Sequence, residues 1–214
     1  MSHEASQNAM SRRSMLGTGL AAGAALGTLS ALQGVLTTEV LAATAAKPLN
    51  TSASDLGILN FALGMEQLEA AFYAQVLSAH GQRSYLYGRF FTLTQELAQE
   101  ETAHVETLRA TIAAAGGTPA TAPAYKFPGE VFVSTTAFSW FAWTLEEIGI
   151  GAYLGAIGKI KSPGLRKAAA SIYGAETRHA AILRSLGSFT FAPHYFESAL
   201  TVAQVNGLIA PYLA

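Results

Sequence analysis

The sequence predicts an all-α fold: a four-helix bundle of two antiparallel hairpins joined by one long crossover, with a short C-terminal helix. Three observations predict it. The acidic residues are thirteen Glu and a single Asp, Asp55, and Glu favours helix interiors whereas Asp favours caps and turns. Four long stretches after residue 54 carry apolar residues at helical spacing. The breaks between them are short, long, short, which sets the pairing.

The first helix is expected from Asp55 to Ala79, where Leu56, Leu59, Leu63, Ala70, Tyr73 and Leu77 form one stripe. Ser54 or Asp55 can cap its start. His80-Gly81-Gln82-Arg83-Ser84 reads as a turn, and the second helix runs from about Tyr85 to Ala115, stopped by Gly116-Gly117. The third spans about Phe132 to Ile160. Ser162-Pro163-Gly164 then opens a fourth that lasts to about Leu186, with Pro163 suited to a first helical position. A last short helix is expected near Ala203 to Tyr212.

Short turns make each helix pair antiparallel. The segment from Gly116 to Val131 carries Pro119, Pro123 and Pro128 and no helical period. Extended, it reaches about 50 Å, more than the roughly 40 Å of a 27-residue helix. It can therefore cross the whole bundle.

Composition narrows the chemistry. Cysteine is absent from the 214 residues, which removes disulfides, Cys-zinc sites, iron–sulfur clusters and thiol catalysis. His, Glu, Asp and Tyr remain as ligands and favour iron, manganese or zinc. A net charge of −1 with no basic stripe gives no field for nucleic acid. Charged residues make up 13%, against roughly 25% in soluble domains. That deficit suggests a surface covered by a second subunit or a membrane. The third helix concentrates it: between Val131 and Gly158 the only charges are Glu146 and Glu147. A helix apolar all round is buried on several sides, and two central carboxylates make a membrane span costly. Homo-oligomer packing through this helix is the expectation.

The candidate site lies in an internal repeat. Glu101-Thr102-Ala103-His104 and Glu176-Thr177-Arg178-His179 each put a carboxylate and an imidazole on one helix face. One such motif is weak; two, each in the second helix of a hairpin, are far less expected by chance. In the first helices, Glu66 precedes Tyr73 and Glu146 precedes Tyr153 by two turns. Distances counted from the turns let all four carboxylates meet within about one helical turn of each other. Glu66, Glu101, His104, Glu146, Glu176 and His179 share faces with Leu63, Ala70, Leu77 and Leu108, and buried carboxylates without a cation are costly. Four Glu and two His facing inward are the ligand set of di-iron and di-manganese bundles. Glu101 and Glu176 would bridge two Fe or Mn ions; Glu66 with His104 would complete one, Glu146 with His179 the other. Tyr73 and Tyr153 are expected to hydrogen-bond carboxylates of the opposite hairpin, the alternative being ordinary core tyrosines. Glu69, Glu100 and Glu147 adjoin these residues as supporting or substitute ligands, although the repeat partner of Glu69 is Gly149. Glu96, Glu106 and Glu130 read as solvated, and His80 and His194 as non-ligands.

At these motifs the chain resembles the ferritin-like domain family that includes the desiccation-related proteins of bacteria and plants. The resemblance spans about Asp55 to Ser188. It rests on Asn60-Phe61-Ala62-Leu63-Gly64-Met65-Glu66 with Phe72-Tyr73, and on Glu101 to His104 with Leu108-Arg109. It continues in Leu145-Glu146 with Gly151-Ala152-Tyr153-Leu154-Gly155-Ala156, and in Glu176 to His179 with Ala180-Ala181. It implies a ferritin-like bundle and a di-metal site acting on oxygen or peroxide, by oxidising iron(II) or decomposing peroxide in stress protection. The Cys-rich iron site of rubrerythrins is missing. The alternative is a structural or stress-protective bundle without catalysis; a hollow iron-storing cage is a third, weaker option.

Residues 1–45 read as an export signal, leaving 46–214 as the bundle domain. Ser11-Arg12-Arg13-Ser14-Met15-Leu16 resembles a twin-arginine signal and no charge follows until Glu39. Small-residue cleavage candidates stand at Val40-Leu41-Ala42 and Ala43-Thr44-Ala45. Such signals export folded proteins, often with a cofactor inserted, to the periplasm or beyond. The alternative is an uncleaved membrane anchor over residues 14–38, long enough to span, with Gly19, Gly23 and Gly27 as a packing face.

Overall fold

A computed structural model describes residues 53–214; the expected export signal or anchor lies outside them. Five α-helices follow: α1 (Ala53–Arg83), α2 (Arg89–Ala114), α3 (Thr135–Ile157), α4 (Pro163–Leu186) and α5 (Val202–Ile209). No β-strand occurs among the described residues. The chain forms the ferritin-like helical bundle, with α1 packed closely on α2 and α3 on α4, and the two hairpins meeting through wider α1–α3 and α2–α4 contacts.

The first turn lies later than the sequence suggested. α1 runs on through Gly81 to Arg83, and the reversal falls on Ser84 to Gly88. Ser84 (φ 48°) takes the left-handed backbone just past the end of α1, and Gly88 (φ 53°), the residue before α2, also takes a positive φ that favours glycine. His80 fixes the turn: its carbonyl accepts from the Ser84 N–H at 2.7 Å and its Nδ1 accepts from the Leu86 N–H at 3.0 Å. Tyr85 and Leu86 are thereby buried, with the Tyr85 carbonyl accepting from the Thr135 hydroxyl at 2.6 Å. They plug the end of the bundle instead of starting α2.

At the other end of α2 the expected glycine stop is present. Gly116 takes φ 78°, and the Gly117 N–H donates to the Ile112 carbonyl at 2.9 Å, the longer bond of a Schellman ending. The crossover then follows α1. The Asn60 side chain donates to the Thr118 carbonyl at 3.2 Å and accepts from the Ala120 N–H at 2.7 Å. Gln67 donates to the Ala120 carbonyl at 2.9 Å. A 3-10 turn, Gly129–Phe132, precedes α3, which begins at Thr135 rather than Phe132 because Ser134 caps it by accepting from the Ala137 N–H.

Asp55 also reaches beyond its own helix. It is fully buried, and its two carboxylate oxygens accept from the N–H groups of Lys161 and Ser162 at 2.9 and 3.1 Å. The start of α1 is thus tied to the α3–α4 turn, where Pro163 occupies the first turn of α4 as expected.

The apolar third helix is covered partly by its own chain. Gly151 and Gly155 present bare backbone to Leu200: the Leu200 N–H donates to the Gly151 carbonyl at 2.9 Å, and a Cβ at Gly155 would collide with the Leu200 carbonyl. Thr201 and Gln204 form a reciprocal capping box that starts α5 just beyond. Val205 of α5 joins the core around Phe72, Phe138, Phe141 and Leu145. The C-terminal segment therefore supplies some of the cover that the sequence assigned to a second subunit. Among the described residues no helix is long and apolar enough to cross a membrane.

A candidate metal centre between the helices

The buried residues form two apolar clusters, one around Phe72, Phe138 and Leu97, the other around Leu63, Leu108, Leu165 and Ile172. On α1, α2 and α4 the acidic residues of the repeat fall between them. Glu66, Glu101, Glu146 and Glu176 are all 0% exposed, His179 is buried and His104 nearly so. Helical phase explains the convergence: Glu and His three residues apart on α2 and α4 face the same way. The antiparallel α1 and α3 bring Glu66 and Glu146 to the opposite wall.

The six residues form two interlocked groups. His104 Nδ1 lies 3.0, 3.2 and 3.3 Å from oxygens of Glu66, Glu101 and Glu176. His179 Nδ1 lies 3.0, 3.3 and 3.7 Å from oxygens of Glu101, Glu146 and Glu176. Glu101 and Glu176 divide their oxygens: Glu101 turns Oε2 to His104 and Oε1 to His179, and Glu176 turns Oε1 to His104 and Oε2 to His179. The ligand atoms of Glu66, Glu101, His104 and Glu176 lie within 4.8 Å of one another, as do those of Glu101, Glu146, Glu176 and His179.

One ring nitrogen can donate only one proton, so three carboxylates around each Nδ1 are more than hydrogen bonding can use. Glu101 Oε1 and both Glu176 oxygens have no well-aligned hydrogen bond despite their short distances to the imidazoles. Buried oxygens without donors, converging with a nitrogen on a common point, are the arrangement a cation satisfies. The donor set, carboxylate oxygen with imidazole nitrogen, suits iron, manganese or zinc.

The tyrosines cross between hairpins. Tyr153 donates to Glu66 Oε1 at 2.5 Å, and Tyr73 donates to Glu146 Oε1. Residues two turns apart on α1 thus face residues two turns apart on α3 in reversed order, the signature of a pseudo-twofold axis. Burial, reinforced by the neighbouring carboxylates, lifts both phenols well above their ordinary value, so both remain donors.

Burial and the close-set charges shift the titration of the cluster in opposing directions. Burial pushes Glu101 up to about 7 against the pull of His104 and His179, and Glu146 up to about 8. For Glu66 burial acts upward too, but His104 and its other hydrogen-bond partners hold the carboxyl below its ordinary value. Both imidazoles would be lowered by burial alone; the surrounding carboxylates raise them well above it.

Adjacent residues divide into three cases. Glu100, half-exposed, accepts from His179 Nε2 at 2.7 Å, which leaves Nδ1 directed into the cluster. Glu147 turns away and pairs with Arg184, whose guanidinium stacks over Trp143 at 3.7 Å. Glu69 faces inward, 0% exposed, with neither oxygen hydrogen-bonded. Sequence spacing did not separate these three; their helix angles and the Gly149 opposite Glu69 were the available signals. Glu96, Glu106, Glu130 and His194 are exposed, as expected of solvated side chains.

A comparison with curated proteins gives no match. The profile of the family described as "Ferritin-like domain" matches residues 54–188, which contain the four long helices except for Ala53 and every residue of the cluster but none of the C-terminal segment, and on that match the chain belongs to the ferritin-like domain family.

Proposed function

We propose that this protein is an exported di-metal carboxylate protein that binds two iron or manganese ions and uses them on oxygen or peroxide, in stress protection. The observation that carries this reading is the division of oxygens: Glu101 and Glu176 each offer one oxygen to the His104 group and one to the His179 group. Glu66 with His104 would complete one ion, and Glu146 with His179 the other. Four carboxylates balance the charge of two divalent cations in a site that burial otherwise makes costly. A pair of redox-active ions held there would supply electrons to oxygen or peroxide, or take them from peroxide.

The chain's own residues do the rest. Tyr73 and Tyr153 orient the two unshared carboxylates and remain protonated. Glu100 fixes the ring of His179. The apolar clusters on either side exclude water, so charge at the site is stabilised by ligands alone. Export through the segment 1–45, with metal loaded before crossing the membrane, and self-association through exposed parts of α3 such as Trp140 complete the proposal.

The test is to incubate the full-length chain with iron(II), manganese(II) and zinc(II), count metal per chain, and follow oxygen and hydrogen peroxide consumption. Two iron or manganese ions per chain with consumption of either oxidant is the expected result. A folded chain that takes up no stoichiometric metal leaves a structural, stress-protective bundle as the reading instead. Two bound ions without turnover would restrict it to a metal-stabilised bundle.

A further inference from the structure

Glu69 is left over from the six-residue set. It lies one turn beyond Glu66 on α1, is 0% exposed, and neither oxygen has a hydrogen-bond partner. The tyrosine bonds pair Glu66 with Tyr153 and Tyr73 with Glu146, so the middle of that interval on α1 faces the middle of the same interval on α3. That place on α3 is Gly149, where a Cβ would stand 2.9 Å from Glu69 Oε1 and 3.7 Å from Glu176 Oε2. The glycine leaves the room that the Glu69 carboxyl fills, beside the pseudo-twofold axis. Glu176, Glu146, Glu66 and Glu101 all act on it electrostatically and no cationic side chain is among its principal neighbours.

We infer that Glu69 is a seventh ligand, a carboxylate that closes the α1–α3 wall of the two-metal site by swinging onto the ions, and that Gly149 exists to admit it. This rests on the di-metal reading. Glu69 lies outside the two tight groups, so its engagement requires a rotation about its own side-chain bonds. A buried carboxyl with no donor is a cost to the metal-free fold, which metal coordination removes. A fifth carboxylate also raises the positive charge the site can neutralise from four to five.

The test uses the full-length chain and cobalt(II) alone, titrated with visible absorption as the readout, alongside melting of the metal-free protein. Glu69→Gln is expected to bind two cobalt ions still, with affinity reduced about 10–100-fold and stronger visible bands, because a coordination position has been lost. Glu69→Leu is expected to melt higher than wild type without metal. Gly149→Ala, which pushes the carboxyl aside, should shift the cobalt spectrum in the same direction as Glu69→Gln and covers the case in which the Glu69 variants misfold. Wild-type affinity and an unchanged spectrum in Glu69→Gln and Gly149→Ala would overturn the inference while leaving the six-ligand site intact. Failure of wild type itself to bind cobalt would overturn both.

Discussion

Because Glu101 and Glu176 belong to both four-residue groups while Glu66 and Glu146 each belong to one, single substitutions should differ in how many ions they remove. Glu→Gln keeps the size of the side chain and removes the charge. An ion present at 100 times its Kd stabilises the folded chain by about 2.7 kcal/mol. Two ions give about 5.4 kcal/mol, and a domain of this size gains about 2–4 °C per kcal/mol. Wild type should therefore melt about 11–22 °C higher with manganese(II) than with chelator. Glu66→Gln and Glu146→Gln should retain about half that rise, with one ion per chain, and Glu101→Gln should show almost none. Each protein is compared with its own metal-free form, since removing a buried charge also changes that baseline. Melting by circular dichroism and metal content by elemental analysis are the assays. The shared-ligand reasoning is refuted if Glu101→Gln keeps one full ion as Glu146→Gln does, or if magnesium(II) produces the same rise in wild type.

Three further outcomes follow from the geometry. The metal-free chain should lose stability as pH rises from 5.5 to 8.5. Glu101 and Glu146 hold protons up to about 7 and about 8 in the fold but only to about 4.3 unfolded. Their stabilisation is full at low pH and drains through this window; the two imidazoles, raised above their ordinary value, act in the same direction above about 6.5, and the depressed Glu66 acts only below its ordinary value. Urea midpoints in chelator check the sign, which manganese should reverse because it displaces those protons; a midpoint that climbs with pH in chelator contradicts it. Tyr153→Phe removes the donor to the buried Glu66 carboxylate and should lower stability by about 1.5–3 kcal/mol by equilibrium unfolding; no loss would mean the phenol only packs. Asp55→Ala strands the N–H groups of Lys161 and Ser162 and should cost about 2–3 kcal/mol, read as faster proteolysis near the α3–α4 turn and a lower melting temperature.

The helices and the six-residue cluster were legible because both depend on period. Apolar spacing fixed four helices, and three-residue spacing put Glu101 with His104 and Glu176 with His179 on common faces. What was not legible depends on contacts between distant segments. Asp55 reads as a cap for its own helix, yet its acceptors serve N–H groups more than a hundred residues away. Gly81 reads as the end of α1, but the helix passes it because His80 organises a turn at Ser84 to Gly88. Gly151 and Gly155 read as part of an apolar face awaiting a partner, and only the fold shows Leu200 lying on them. Glu147 and Glu69 both adjoin ligand positions in the sequence, and the repeat partner Gly149 argues against Glu69 as one of a symmetric set. Their opposite orientations, one toward Arg184 and one into the cluster, follow from helix phase combined with the packing of a second helix.

The departures from the repeat are more informative about chemistry than the repeat itself. Duplicated hairpins explain why Glu66 matches Glu146, Glu101 matches Glu176 and His104 matches His179, and why each tyrosine reaches across the axis. They do not explain Glu100, whose repeat position is Ala175, or Glu69, whose repeat position is Gly149. Both extra carboxylates come from the first hairpin, and one of them acts on the second: Glu100 holds His179 from behind. That imidazole is buried at 5% exposure and bonded at both ring nitrogens, whereas His104 keeps 13% of its side chain exposed. Two ions bound by matching ligand sets would nevertheless sit in unequal environments, one with a rigidly oriented imidazole and one nearer solvent. Such a pair should fill in two resolved steps.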